Sequence, residues 1–384
     1  MVYTVNADAT LSAGEVPELL WVFRRSRRQW LDEWRRGERS GEFFYGMIAL
    51  RERYRVGFIE DASRNPYLRA WYPVERLVAS RVGMGFALDV ALRHWRALQR
   101  ARVVVSTVDA CGLPLAMLKR VGLLRSPLVY ISQGLSDRID AYGRDRRLAR
   151  WYRHLLGAPD DLATLSEGAR RGLAAWLAVP AARIHVLPFG TDHAFWHPTG
   201  SAPAGIEARI VSVGSDAGRD YGTLLAAAAG LPLHIVTRQP LPATNGTVRH
   251  TSEHSPAELR DLYSGARFIV IPLHDRDQPS GQSAALQAMA CAKAVVLTRT
   301  RGWWGEDLLH DGVNCVLVPP GDVEALRRAL SRLAEDPPAC ARLGAAARAT
   351  VERHFGEARF AGALARIVDT RLGRAATPAG GPAC

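Results

Sequence analysis

Short β-rich apolar runs alternate with helical patterns along most of this chain, and the alternation occurs in two successive series. Such alternation forms parallel sheets with helices on both faces, because each sheet must bury two apolar surfaces. In the first series the strands are LLWVF (19–23), YRVGFIE (54–60), ARVVVST (101–107) and SPLVYIS (126–132), and a helix GEFFYGMIALRER (41–53) is predicted between the first two. Two helical segments, RRLARWYRHLLG and EGARRGLAAWLAV, lead into ARIHVLPFGTDHAFWHPTGSAPAG, where prolines and glycines end the pattern. The second series has strands ARIVSVG (208–214), LPLHIVT (231–237), TVRHTSE (247–253), ARFIVIPL (266–273), KAVVLT (293–298) and NCVLVPP (314–320). Helices YGTLLAAAAG, SPAELRDLYSG and SAALQAMACA fit between them.

A length of 384 residues exceeds one ordinary core and suits two. The expected fold class is therefore α/β, with two doubly wound, Rossmann-like domains. Residues 1–188 form the first, 189–206 a linker and 207–360 the second; a C-terminal helix, 361–374, packs back on the first, and 375–384 is a disordered tail. No apolar run approaches the roughly 18 residues that span a bilayer. The start, MVYTVNADATLSAGEVPELL, lacks the charged-then-apolar layout of a signal peptide, so a cytoplasmic location is expected.

The five cysteines lie far apart, without the close pairs of zinc or redox motifs. A net charge of +12 suits phosphates, anionic lipid or nucleic acid as partners, and charge alone does not choose among them. No zinc finger or aromatic RNA-binding strand accompanies it, so nucleic acid is not an expected partner.

Ligands of open parallel sheets bind beyond the carboxyl ends of the strands. At such an edge SGQSAALQAMACAKAVVLT (280–298) joins a hydroxyl- and glycine-rich turn to a small-residue helix and a buried strand. Ser280 or Ser283 can cap that helix, Gly281 allows close backbone approach, and the free N–H groups of the first turn suit a diphosphate. A plain capped loop has the same sequence. The turn VSVGSDAGRDYGTLL, after the first strand of the second series, adds Gly214 and Arg219, and an arginine there can neutralise the same phosphates.

Together VLPFGTDHAFWHP, SVGSDAGRDYGTLL, SPAELRDLYSGARFIVIPL, SGQSAALQAMACAKAVVLT and DLLHDGVNCVLVPPGDVEAL resemble the C-terminal half of retaining glycosyltransferases of family 4, which have the GT-B fold. Order and spacing match over about residues 160–335, whereas the first half is similar in architecture only. The resemblance implies two domains facing a cleft, a nucleotide sugar (UDP- or GDP-linked) on the C-terminal domain, the acceptor mostly on the N-terminal one, and no cofactor or metal. It places Arg219 where the family has a basic residue on the donor phosphates, and it implies donor contacts from Gly214, Ser280, Gly281, Gln282, Ser283 and Gln287.

The chain departs from the family in two places. Family members carry two glutamates with seven residues between them, the second leading into a sequence like EAMA; here those positions are Pro279 and Gln287. Gln287 can still hydrogen-bond ribose hydroxyls, and the SGQ turn resembles a minor variant within the family. Related enzymes also place a histidine after a strand of the first domain, where this chain offers Asp109 and, after the next strand, Gln133. Asp109 is a candidate to orient the acceptor hydroxyl or take its proton, or it is a helix cap.

Trp303 and Trp304, in RTRGWWGEDLL, are candidates to stack on a base or cover a sugar, or else they wedge between domains. Glu306 is the nearest acidic substitute for the missing glutamate. Asp192, Phe195 and Trp196 read as hinge and interdomain packing residues, and His185, His193 and His197 nearby do not have a convincing metal spacing. In WVFRRSRRQWLDEWRRGERSGEFFYGM, a helix would place Phe23, Trp30, Leu31 and Trp34 on one face among arginines. Arg24–Arg39 is then a peripheral contact for the anionic inner face of a membrane, a basic lip over the acceptor cleft, or a solvated helix packed on its domain.

The expected function is a retaining, metal-independent transferase that moves a hexose-type sugar to a hydroxyl of a glycan, a lipid-linked acceptor or a small molecule. The alternative is a catalytically degenerate GT-B protein that binds a nucleotide sugar or a partner at a membrane surface.

Overall fold

The computed structural model describes residues 3–5, 11–12, 17–60, 72–136, 138, 146–200, 209–242 and 246–374; the expected tail, 375–384, lies outside them. Its contacts divide the chain into two units. The first comprises Met1–Arg35, Phe43–Pro188 and Phe360–Cys384, the second Arg36–Glu42 and Phe189–Arg359. Segment 189–200, expected as part of a linker, thus belongs to the second unit, and so does a short piece of the first series, 36–42.

In the first unit the apolar runs become strands β1 (Tyr3–Val5), β2 (Leu11–Ser12), β3 (Leu19–Phe23), β4 (Val56–Glu60), β5 (Val103–Ser106), β6 (Leu128–Ile131), β7 (Asp161–Thr164) and β8 (Ile184–Val186). Their order is β2-β1-β4-β3-β5-β6-β7-β8, with β1 antiparallel to its neighbours and β3 to β8 parallel. Every residue of β3 to β7 is buried, as strands covered on both faces must be. The chain leaves β3 toward β4 on one side and β5 toward β6 on the other, so a crevice opens at the carboxyl ends of β3 and β5.

The second unit carries β9 (Ile210–Val213), β10 (Leu233–Val236), β11 (Val248–Thr251), β12 (Phe268–Ile271), β13 (Val295–Thr298) and β14 (Val316–Val318). They form a parallel sheet ordered β11-β10-β9-β12-β13-β14. Its switch point lies between β9 and β12. The loops at that point are 214–220 and 272–281, and the helix Gln282–Ala290 follows the second of them.

The helix predicted over 41–53 is broken. A 3₁₀ turn, Glu42–Phe44, is followed by Tyr45 and Gly46 at φ 50° and 77°, and only Met47–Leu50 is α-helical. A Cβ at Gly46 would come within 3.3 Å of the Phe360 ring, so close packing and a left-handed backbone both favour glycine here. Phe44, Met47 and Leu50 are buried, which is the apolar periodicity that suggested one continuous helix. Among the described residues no helix is long and apolar enough to cross a membrane.

Candidate functional site

The β9–β12 switch point assembles around Arg219. Asp216 folds the turn after β9: its carboxylate accepts from Gly218 N at 3.1 Å and from Arg219 Nε at 2.8 Å. Backbone hydrogen bonds from Asp220 N to Pro272 O and from His274 N to Gly218 O tie the turn to the end of β12. The Arg219 guanidinium lies against Gly214, at φ 152°, where any Cβ would collide with it. Arg219 is 5% exposed, and its Nη1 has no hydrogen-bond partner. A buried guanidinium with an unpaired nitrogen is costly unless something accepts from it.

The SGQ turn stands opposite that nitrogen. Gly281, at φ 73°, occupies the N-cap position of the helix Gln282–Ala290, and a Cβ there would meet Ile271 Cγ2 at 2.6 Å and lie 3.4 Å from Arg219 Nη1. Neither Ser280 nor Ser283 caps the helix, contrary to expectation, because the left-handed glycine takes the cap position and no side chain bonds the first turn. Ser280 Oγ instead reaches the glycine turn, 2.5 Å from where a Cβ of Gly218 would be. Gln282 is buried and Ser283 half-buried. An uncapped helix start beside a buried, unpaired arginine nitrogen has the polarity that suits an anion. Gly214, Arg219, Ser280 and Gly281 are thus brought together at the two turns.

Gln287 lies further along the same helix, 6% exposed, and its Nε2 donates to Glu42 Oε1 at 2.9 Å. Glu42 also accepts from Trp196 Nε1 at 2.9 Å, Ser40 Oγ at 2.8 Å and Asp192 N at 3.3 Å. Burial raises its pKa, against these hydrogen bonds. The Glu357 carboxylate lies behind it, 2.7 Å from where a Gly41 Cβ would stand, and Gly41 N donates to Asp192 Oδ2 at 3.1 Å. Burial, with the charges of Asp192 and Glu42, pushes Glu357 up to about 9. Glu42 and Glu357 were missed by sequence reasoning, since an acid in GEFF reads as an exposed first-turn residue.

Asp192, Phe195 and Trp196, expected at a hinge, make contacts inside the second unit. Trp196 packs edge-on to Tyr263 at 5.9 Å, and Arg260 lies over the Phe195 ring. Trp303 and Trp304 are buried rather than exposed: they stack on each other at 5.9 Å, and Trp304 packs edge-on to Phe355. Gly302 N donates to Arg276 O, and a Cβ at Gly302 would collide with the backbone of Asp277 and Gln278, so this pair supports the loop that leads into Pro279 and Ser280. Glu306 is exposed, at φ 28°.

In the first unit Asp109 sits at the β3–β5 switch point but has both oxygens engaged. Oδ1 accepts from Tyr130 Oη at 2.7 Å, and Oδ2 from Gln133 N at 3.1 Å and Gly134 N at 2.7 Å. It does not cap its helix, Asp109–Arg120, whose N-cap residue is Val108. Burial raises its pKa. Gln133 Nε2 donates to Thr107 O, and its Oε1 accepts from Tyr45 Oη at 3.2 Å. These two residues shape the crevice as a fixed turn.

Within the basic segment the helix runs from Arg28 to Arg35, with Leu31 buried and Trp30 and Trp34 half-buried. Arg27 stacks on the rings of Phe23 and Trp30, Arg51 lies over Trp34, and Arg28 pairs with Glu60 at 2.9 Å. Among the described residues no group of three His, Cys, Asp or Glu side chains is arranged to hold a metal.

The fold is the mixed α/β, two-sheet fold of GT-B glycosyltransferases, shown by its likeness to solved structures. A family model described as glycosyl transferases group 1 matches residues 211–336, which hold the Arg219 and SGQ turns. Among similar structures, sucrose-phosphate synthase from Thermosynechococcus elongatus is 17% identical with a TM-score of 0.69, over 93% of this chain and 99% of that one. HepE of Anabaena, in complex with UDP-glucose, is 14% identical with a TM-score of 0.63, over 92% and 99%. An α,α-trehalose-phosphate synthase (UDP-forming) from Burkholderia vietnamiensis is 10% identical with a TM-score of 0.62, over 94% and 100%. No curated protein matches the chain by sequence.

Proposed function

We propose that this chain is a retaining glycosyltransferase that moves a hexose-type sugar from a nucleoside diphosphate sugar to a hydroxyl acceptor without a metal. The observation that carries this reading is the unpaired Nη1 of buried Arg219 beside the uncapped N-terminus of Gln282–Ala290. Two converging positive groups suit a diphosphate, and they are worth most when that diphosphate gains charge as a leaving group. The bond from the anomeric carbon to the diphosphate oxygen breaks while the acceptor oxygen bonds to the same face, and the acceptor proton passes to the departing phosphate. Orientation and electrostatics supply the acceleration, with no covalent enzyme intermediate. UDP is the favoured nucleotide, because HepE is seen with UDP-glucose and the trehalose-phosphate synthase is UDP-forming.

A second reading, a GT-B protein that binds a nucleotide sugar without transferring it, is favoured by Pro279 and Gln287 at the positions of the family's acidic pair. Incubation with radiolabelled UDP-sugars and a panel of hydroxyl acceptors separates the two. Transfer that falls about a hundredfold in Arg219→Ala supports the enzyme. Tight UDP binding with neither transfer nor slow donor hydrolysis supports the binding protein.

A further inference from the structure

Position 287 has no carboxylate of its own, yet one stands 2.9 Å away on Glu42, from a segment 245 residues earlier in the chain. A glutamate at 287 would face that buried carboxylate, and two carboxylates cannot both ionise at such a distance. Glutamine at 287 and glutamate at 42 are therefore complementary. Glu42 Oε1 accepts from Trp196 Nε1 and Ser40 Oγ, so it meets Gln287 as an acceptor too, and the amide turns its nitrogen inward and its oxygen away.

We propose that Glu42 is a positioning residue, holding Gln287 so that its Oε1 accepts a hydroxyl from the ribose of the bound nucleotide. The inference rests on the nucleotide-sugar reading given above. Gln287 lies six residues beyond Gly281, about 9 Å along the helix axis, and helical side chains lean back toward the N-terminus. That separation fits a sugar ring attached to a diphosphate at the helix start. Among the described residues the Gln287 oxygen has no hydrogen-bond partner, while three further donors, from Trp196, Ser40 and Asp192, fix the Glu42 carboxylate itself. A carboxyl group thus stands beside the helix on a neighbouring segment, and the amide transmits its orientation.

Calorimetry with UDP and with inorganic pyrophosphate, which has no ribose, tests this. Glu42→Ala should weaken UDP binding about tenfold, the loss of one good hydrogen bond, and change pyrophosphate binding less than about twofold. Glu42→Gln, which keeps an acceptor oxygen, should bind UDP as the wild type does. Gln287→Leu should weaken UDP binding about tenfold as well, a result that does not depend on Glu42→Ala being folded, and adding Glu42→Ala to it should weaken UDP binding no further, because Glu42 acts only through that amide. Equal loss of both ligands in Glu42→Ala, unchanged UDP binding in Gln287→Leu, or a further loss in the double variant, would overturn the inference. Wild-type protein that binds pyrophosphate as tightly as UDP would overturn it too while leaving the phosphate site standing; binding of neither ligand would overturn the nucleotide-sugar reading itself.

Discussion

Arg219 shows how much of a site one residue can organise and how little of that a sequence displays. Its position in a glycine-rich turn after a strand marked it as a phosphate ligand, but its burial and its contact with Gly214 come from the fold. Gly214→Ala should displace the guanidinium and weaken UDP binding as severely as Arg219→Ala. The same change should cost roughly 1–3 kcal/mol of stability from overpacking, measurable by denaturant unfolding. Glu357 and Glu42 were illegible for a different reason, since a carboxylate is ordinarily a surface residue and only long-range packing buries it. The folded protein holds the Glu357 proton up to about pH 9, whereas the unfolded chain releases it near the ordinary glutamate value of 4.5. The stability contributed by this neutral acid is therefore complete below about pH 4.5 and is lost as pH rises toward 9. Melting temperatures measured between pH 5 and 9 should fall less steeply in Glu357→Gln than in the wild type; parallel profiles would show that Glu357 titrates normally.

At the scale of elements, strands were the most legible part of the chain. Continuous apolar runs such as VVVS in β5 and FIVI in β12 have few other uses than a sheet covered on both faces. The 41–53 segment failed because its apolar spacing continues through Tyr45 and Gly46 while the backbone does not. Helix caps were also misread at Ser280 and Ser283, where a glycine holds the cap position. Asp109 illustrates an element held by one side chain: three donors from 130–134 converge on it. Asp109→Ala leaves a tyrosine hydroxyl and two backbone N–H groups without their acceptor and should destabilise the protein by about 2–4 kcal/mol. If Asp109 were instead the proton acceptor of the reaction, Asp109→Asn would abolish transfer at unchanged stability; the geometry predicts lowered stability and retained transfer at temperatures below unfolding.

For the molecule as a whole, the doubled alternation was enough to predict two parallel-dominated sheets, because each series can bury its apolar faces only within its own layers, but not the antiparallel β1 and β2 at the edge of the first. What the alternation could not reveal is that 36–42 belongs to the second unit, since no local pattern encodes a contact across 245 residues. The net charge of +12 favours anionic ligands in general and does not choose among them, whereas one buried arginine with an unpaired nitrogen offers a definite place for one. Binding at that point should stabilise the folded protein by about 2.7 kcal/mol when free ligand is a hundredfold above its dissociation constant, a shift visible in a thermal melt. If Arg219 and the start of Gln282–Ala290 form a diphosphate site, isothermal calorimetry of UDP with the wild type and Arg219→Ala will show it. Saturable one-to-one binding that weakens at least tenfold in the variant, the equivalent of about 1.4 kcal/mol, is the expected result. Equal affinity in the two proteins, or no binding in either, would contradict it.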